Sequence, residues 1–197
     1  ISKISKLNKK NFDLLLNNFY NDTYLVDQNA CSSPHLILWI DADNNSKTII
    51  KKFWNKLSLL VKKKYKLQEI SSIDKYNQQL KNVIKLKELT ETKNFNNYVN
   101  VNTLSMIPNN IENLRGKWGF FYEHEAKNLS SLKNIINSKF QTITYFGIEK
   151  EVFKNFFLKE KPSGIDRVVT VGKALDIDII WDGYDLIQNL SRIVDLR

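Results

Sequence analysis

Apolar positions recur every three to four residues over residues 6–20, at Phe12, Leu15, Leu16 and Phe19. That spacing predicts an amphipathic helix, ended by Asn21-Asp22. Tyr24-Leu25-Val26 reads as a short strand, and the run Leu36-Ile37-Leu38-Trp39-Ile40 as a buried one. Residues 46–64 place Ile49, Ile50, Phe53, Trp54, Leu57, Leu60 and Val61 on one stripe with lysines opposite, which predicts a second helix. A third helix is expected over residues 71–92, with Ile73, Tyr76, Leu80, Val83, Ile84 and Lys87 on related turns and Ser71 or Ser72 as cap. Residues 95–107 suggest one or two strands, residues 118–122 an aromatic strand and residues 129–140 a helix. A strand at 142–146, a helix at 149–159, a strand at 165–172 and a last helix at 184–194 complete the chain. Strands alternating with helices predict one α/β domain: a three-layer, open, mostly parallel sheet covered by helices.

Composition narrows the picture. A 197-residue chain supports one sizeable core or at most two small ones, and 42% apolar content is ordinary. No run approaches the roughly 18 apolar residues that cross a bilayer. One cysteine allows no internal disulfide, which suits a reducing cytoplasm, and the chain is expected to be cytoplasmic. A chain that starts at Ile1 is expected to be a domain of a longer protein. The net charge of +9 is uneven, because the first hundred residues hold 17 Lys and no Arg against nine acidic residues. That basic half admits a lysine-rich nucleic-acid-binding module. The absence of Arg, the usual reader of base edges, favours a solvated surface instead, and no nucleic-acid partner is expected.

Candidate chemistry centres on Gln28-Asn29-Ala30-Cys31-Ser32-Ser33-Pro34-His35. Pro34 cannot continue a helix, so Cys31 is expected in a tight loop at the edge of the following strand. A thiol there, within reach of backbone N–H groups, has what a nucleophile attacking a carbonyl needs. A lone cysteine is also a common small buried hydrophobe. Ser32 and His35 are candidate helpers, while Asn29 and Ser33 either line the site or satisfy the loop's backbone. Asp41-x-Asp43 fits the minimal metal-binding pattern of a sugar-nucleotide transferase, as Asp176-x-Asp178 does equally; helix capping is the competing role for Asp43. His124 between Glu123 and Glu125 is either a metal or acid–base site or a polar strand end at the surface. With two histidines and one cysteine the chain has too few ligands for a zinc motif, and no metal site is expected.

The cysteine segment resembles the active-site segment of the LuxC-type long-chain acyl-CoA reductases, which are aldehyde-dehydrogenase-like. The stretches Gly164-Ile165-Asp166-Arg167-Val168-Val169, Gly172-Lys173-Ala174-Leu175 and Trp181-Asp182-Gly183-Tyr184-Asp185-Leu186-Ile187 resemble the C-terminal end of the same family. Residues 141–147 resemble its preceding strand. The resemblance covers roughly residues 20–40 and 115–195. It implies an aldehyde-dehydrogenase-like catalytic domain in which Cys31 attacks a fatty acyl-CoA thioester. The backbone N–H of Cys31 would stabilise the oxyanion, and NADPH would reduce the acyl-enzyme to a fatty aldehyde. Implied partners are long-chain acyl-CoA or an acyl-transfer protein, with homo-oligomers joined through a C-terminal edge at residues 191–197. The six glycines form no phosphate-binding cluster. The dinucleotide-binding half is therefore expected to be absent, NADPH to be bound mainly there, and this chain alone to be inactive. Asp166-Arg167 is expected to be an ion pair or loop anchor, and Trp181-Asp182-Gly183 a structural turn.

Overall fold

The computed structural model describes residues 1–42 and 46–196. In chain order the elements are α1 (Ser2–Ser5), α2 (Lys9–Tyr24), β1 (Leu36–Ile40), α3 (Ser46–Lys64), α4 (Glu69–Lys85), β2 (Leu89–Phe95), β3 (Val99–Leu104), β4 (Phe120–Ala126), β5 (Thr142–Tyr145), α5 (Lys150–Glu160), β6 (Arg167–Thr170), β7 (Ile180–Trp181), β8 (Tyr184–Asp185) and α6 (Leu186–Leu190). Short 3-10 turns occupy Ile111–Asn113 and Leu129–Leu132.

The protein is α/β with mostly parallel strands, but the sheet is divided. Four strands run in the order β1-β4-β3-β2, with β1, β4 and β3 parallel and β2 antiparallel at the edge. A separate parallel pair joins β5 to β6, and β7 with β8 forms a small antiparallel ribbon. Side-chain alternation along β3 and β4 sorts two cores. Val99, Val101 and Phe121 meet Phe19, Phe53 and Trp54 of α2 and α3 on one face. Phe120 and Tyr122 meet Leu132, Ile136, Phe153 and Phe156 on the other.

Several boundaries differ from the sequence reading, each for a local reason. Helix α2 runs through Asn21-Asp22 because the Asp22 carboxylate is buried and accepts from the backbone N–H of Gly172 (2.6 Å) and Ala174 (3.0 Å). Residues 24–26 are accordingly helix end and turn rather than strand. The helix expected over 71–92 ends at Lys85, and the segment from Leu89 pairs with β3 as a strand. Its cap position is Gln68, not a serine. Residues 129–140 form one 3-10 turn followed by irregular chain, where the side chains of Asn128, Ser131 and Asn137 take local backbone partners. The last helix is only α6, preceded by the β7–β8 hairpin. No helix of the described residues is long and apolar enough to cross a membrane.

Candidate active site

The segment between α2 and β1 is held by one buried side chain. Asp27 and Gln28 both have positive φ (54° and 60°), turning the chain sharply out of α2. The Gln28 amide then spans the turn and the start of β4. Its Nε2 donates to the carbonyls of Pro34 (2.8 Å) and Phe120 (3.0 Å). Its Oε1 accepts from the N–H of Gly119 and of Phe120, both at 3.0 Å. Tyr65 donates to the Asp27 carboxylate, and the Asp27 carbonyl accepts from Trp118 N–H (3.2 Å).

On this base sits a four-residue turn, Ala30-Cys31-Ser32-Ser33, closed by Ser33 N–H to Ala30 carbonyl (3.0 Å). Cys31 occupies its first central position, and the residue is exposed. The N–H groups of Cys31 and Ser32 have no hydrogen-bond partner among the described residues. Ser32 and Ser33 are buried, and the Ser33 hydroxyl has no partner among the described residues. Asn29 is exposed, its N–H bonded to the Val26 carbonyl (2.8 Å).

Arg115 supplies the charge beside this turn. Its Nη2 donates to the Ala30 carbonyl (3.0 Å), and its Nε lies 3.2 Å from His35 Nε2. Burial first, then the Arg115 guanidinium, lower the His35 pKa from 6.5 to about 3. The ring is neutral at ordinary pH and accepts from Arg115, so it does not act as a cation toward the thiol. The local positive charge is that of Arg115, which sequence reading passed over. Its one signal was rarity: it is the first arginine in a chain otherwise supplied with lysine. Gln28 carried no such signal. Cys31, Ser32 and His35, the three predicted residues, all border one cavity of about 610 Å³.

The other candidates are not brought together. Asp41 is exposed with φ 59°, and Asp43 lies outside the described residues. Asp176 pairs with Lys173 (2.6 Å), and Asp178 accepts from Ile179 N–H (2.7 Å). His124 Nδ1 lies 2.9 Å from the Leu104 carbonyl. Glu123 is not at the surface: its buried carboxylate accepts from the indoles of Trp39 and Trp54 (2.8 Å each), Thr103 (2.8 Å) and Lys93 (3.1 Å). Among the described residues no three His, Cys, Asp or Glu side chains group as metal ligands. Arg167 is a loop anchor, donating to the carbonyls of Asp176 (2.7 Å) and Ala174 (3.2 Å) and lying 4.4 Å over Trp181. Asp182 and Gly183, both at positive φ, make the β7–β8 turn.

None of the six glycines offers the open backbone of a phosphate-binding turn. A Cβ on Gly116, Gly119, Gly147, Gly164, Gly172 or Gly183 would meet Phe120, Tyr24, Lys3, Asn137, Asn18 or Asp166 respectively, each at 3.0 Å or less. Every glycine therefore packs against its own chain rather than cradling a phosphate. No protein-family model matches the chain, and no curated protein matches it in sequence.

Proposed function

We propose that this chain is the cysteine-bearing half of a fatty-acyl-CoA reductase and that Cys31 is its acyl acceptor. The observation that carries the reading is the exposed Cys31 on a braced turn whose own N–H and the next are unpaired among the described residues. Gln28 fixes the turn from beneath, and Arg115 places a permanent cation against the Ala30 carbonyl, one residue from the nucleophile.

The Cys31 thiol gives its proton to solvent, and the thiolate attacks the thioester carbonyl. The negative charge passes to the carbonyl oxygen, where the free N–H groups of Cys31 and Ser32 are the available donors. Collapse of that tetrahedral species breaks the bond to the CoA sulfur, which takes up a proton, and leaves the acyl group on Sγ. His35, neutral and held by Arg115, acts as a positioning residue for the guanidinium. In such an enzyme the hydride comes from NADPH. None of the six glycines of this chain is free to cradle its pyrophosphate, which supports a reading in which NADPH is held mainly outside this chain.

Incubation with palmitoyl-CoA tests the reading through release of free CoA. The parent chain is expected to liberate close to one equivalent per protein, and Cys31→Ala none. Equal release by both would refute it.

A further inference from the structure

The cavity beside the cysteine turn lies between two sheet edges. Every residue from 36 to 40 and from 141 to 147 borders it, so both faces of β1 and of β5 reach its walls. The two edges run in the same direction. At their starts, Arg115 meets His35 while Lys139, just before β5, lies 3.4 Å from Glu112. At their ends, the Ile1 amino group donates to the Ile40 carbonyl (2.9 Å), and Lys3 packs on Gly147.

Both edges present unused backbone. The His35 carbonyl accepts from Tyr122 N–H (2.9 Å) and Asp41 N–H donates to the Ala126 carbonyl (3.1 Å), so odd-numbered residues of β1 turn toward β4. Leu36 and Leu38 turn away from it. The Gln141 and Tyr145 carbonyls accept from Asp166 N–H (2.8 Å) and Val171 N–H (3.0 Å), so Thr142 and Thr144 likewise turn away from β6. None of these four residues has a backbone partner on that side among the described residues. The β1 wall is apolar on both faces: Ile37 packs with the α2–α3 core, and Leu36, Leu38 and Ile40 pack with the other, which Ile143 and Tyr145 of β5 join. The sequence Leu-Ile-Leu-Trp-Ile is that of a central strand, yet only Trp39 of it is buried.

We propose that this groove is a strand acceptor. It takes one extended polypeptide segment of about five residues, apolar on both faces, laid parallel between β1 and β5 with its C-terminal end at Ile1. The segment joins the two sheets into one. An acyl chain fills the same apolar space but leaves the amides and carbonyls of both edges without partners, whereas a strand satisfies all of them. The Ile1–Ile40 bond already makes the last rung of that pairing.

The test is amide hydrogen exchange on Cys31→Ala protein, which keeps thiol chemistry out of the readout. Ile1 is extended upstream by Val-Ile-Thr-Val-Ile and two glycines, and a control extension carries Pro at its second and fourth positions. The matched extension is expected to slow exchange at Leu36, Leu38, Thr142 and Thr144 by about tenfold or more and to raise the Tm, while the Pro control changes neither. No added protection, or equal effects from both extensions, would overturn the proposal. So would the same protection produced by palmitate alone, which would make the groove an acyl pocket.

Discussion

Gln28 uses both ends of its amide to tie the Pro34 carbonyl to the backbone of Gly119 and Phe120. Removing it strands two N–H donors and two carbonyls in a buried place. Gln28→Ala is expected to cost at least about 3 kcal/mol, measured by chemical denaturation, and to slow acylation of Cys31 by loosening its turn. A loss under about 1 kcal/mol would show that the clip is dispensable. His35 makes a prediction of opposite kind. The unfolded chain protonates the ring near pH 6.5 and the folded chain only near pH 3. Over that window the unfolded state binds more protons, so stability falls as pH drops from about 6.5 toward 3. His35→Gln keeps an acceptor for Arg115 without a titrating ring. Between pH 7 and pH 4.5 the parent is expected to lose more stability than this variant; parallel losses would contradict the assignment. At this scale the sequence drew attention to Cys31 but not to the side chains that hold its turn. Cys31 is unique and flanked by Pro34, whereas Gln28 and Arg115 act through carbonyls from residues about ninety positions apart.

Helix α4 shows why an element's periodicity does not by itself say which side is buried. Its apolar positions are regular, but Ile70, Ile73, Tyr76, Val83 and Ile84 face outward, while Ser71, Lys75, Gln79 and Asn82 are buried. The cause lies in β3, whose alternation Val99-Asn100-Val101-Asn102 gives the apolar side to α2 and α3 and the asparagines to α4. A polar sheet face that is covered requires a polar helix face. Asn82 donates to the Tyr122 hydroxyl (2.7 Å), and Lys75 donates to the carbonyls of Trp118 (3.0 Å) and Asn97. Burial lowers the Lys75 pKa to about 7. Asn82→Leu is therefore expected to cost about 1–3 kcal/mol, and Ile84→Glu to stay within about 0.5 kcal/mol. The reverse order in thermal melts would mean that α4 packs by its apolar side. Elements whose apolar stripe does face a core, α3 and β1, were legible to the residue.

At the scale of the molecule, alternating strands and helices announced an α/β fold with parallel strands, and both are present. The division of the sheet was not legible, because β1 reads as a buried strand and nothing in the run 142–146 marks β5 as an edge, while the structure leaves one edge of each open. The C-terminal region is likewise uncovered: Leu190, Ile193 and Val194 are exposed although their sequence reads as a helix stripe. The proposed reaction rests on one step, transfer of an acyl group from CoA to Cys31 on its braced turn beside Arg115. Intact-mass measurement after exposure to palmitoyl-CoA tests it most directly. One acyl mass is expected on the parent, removed by neutral hydroxylamine, and none on Cys31→Ala. An adduct on both proteins would contradict it, as would a parent that iodoacetamide alkylates at Cys31 but palmitoyl-CoA leaves unmodified.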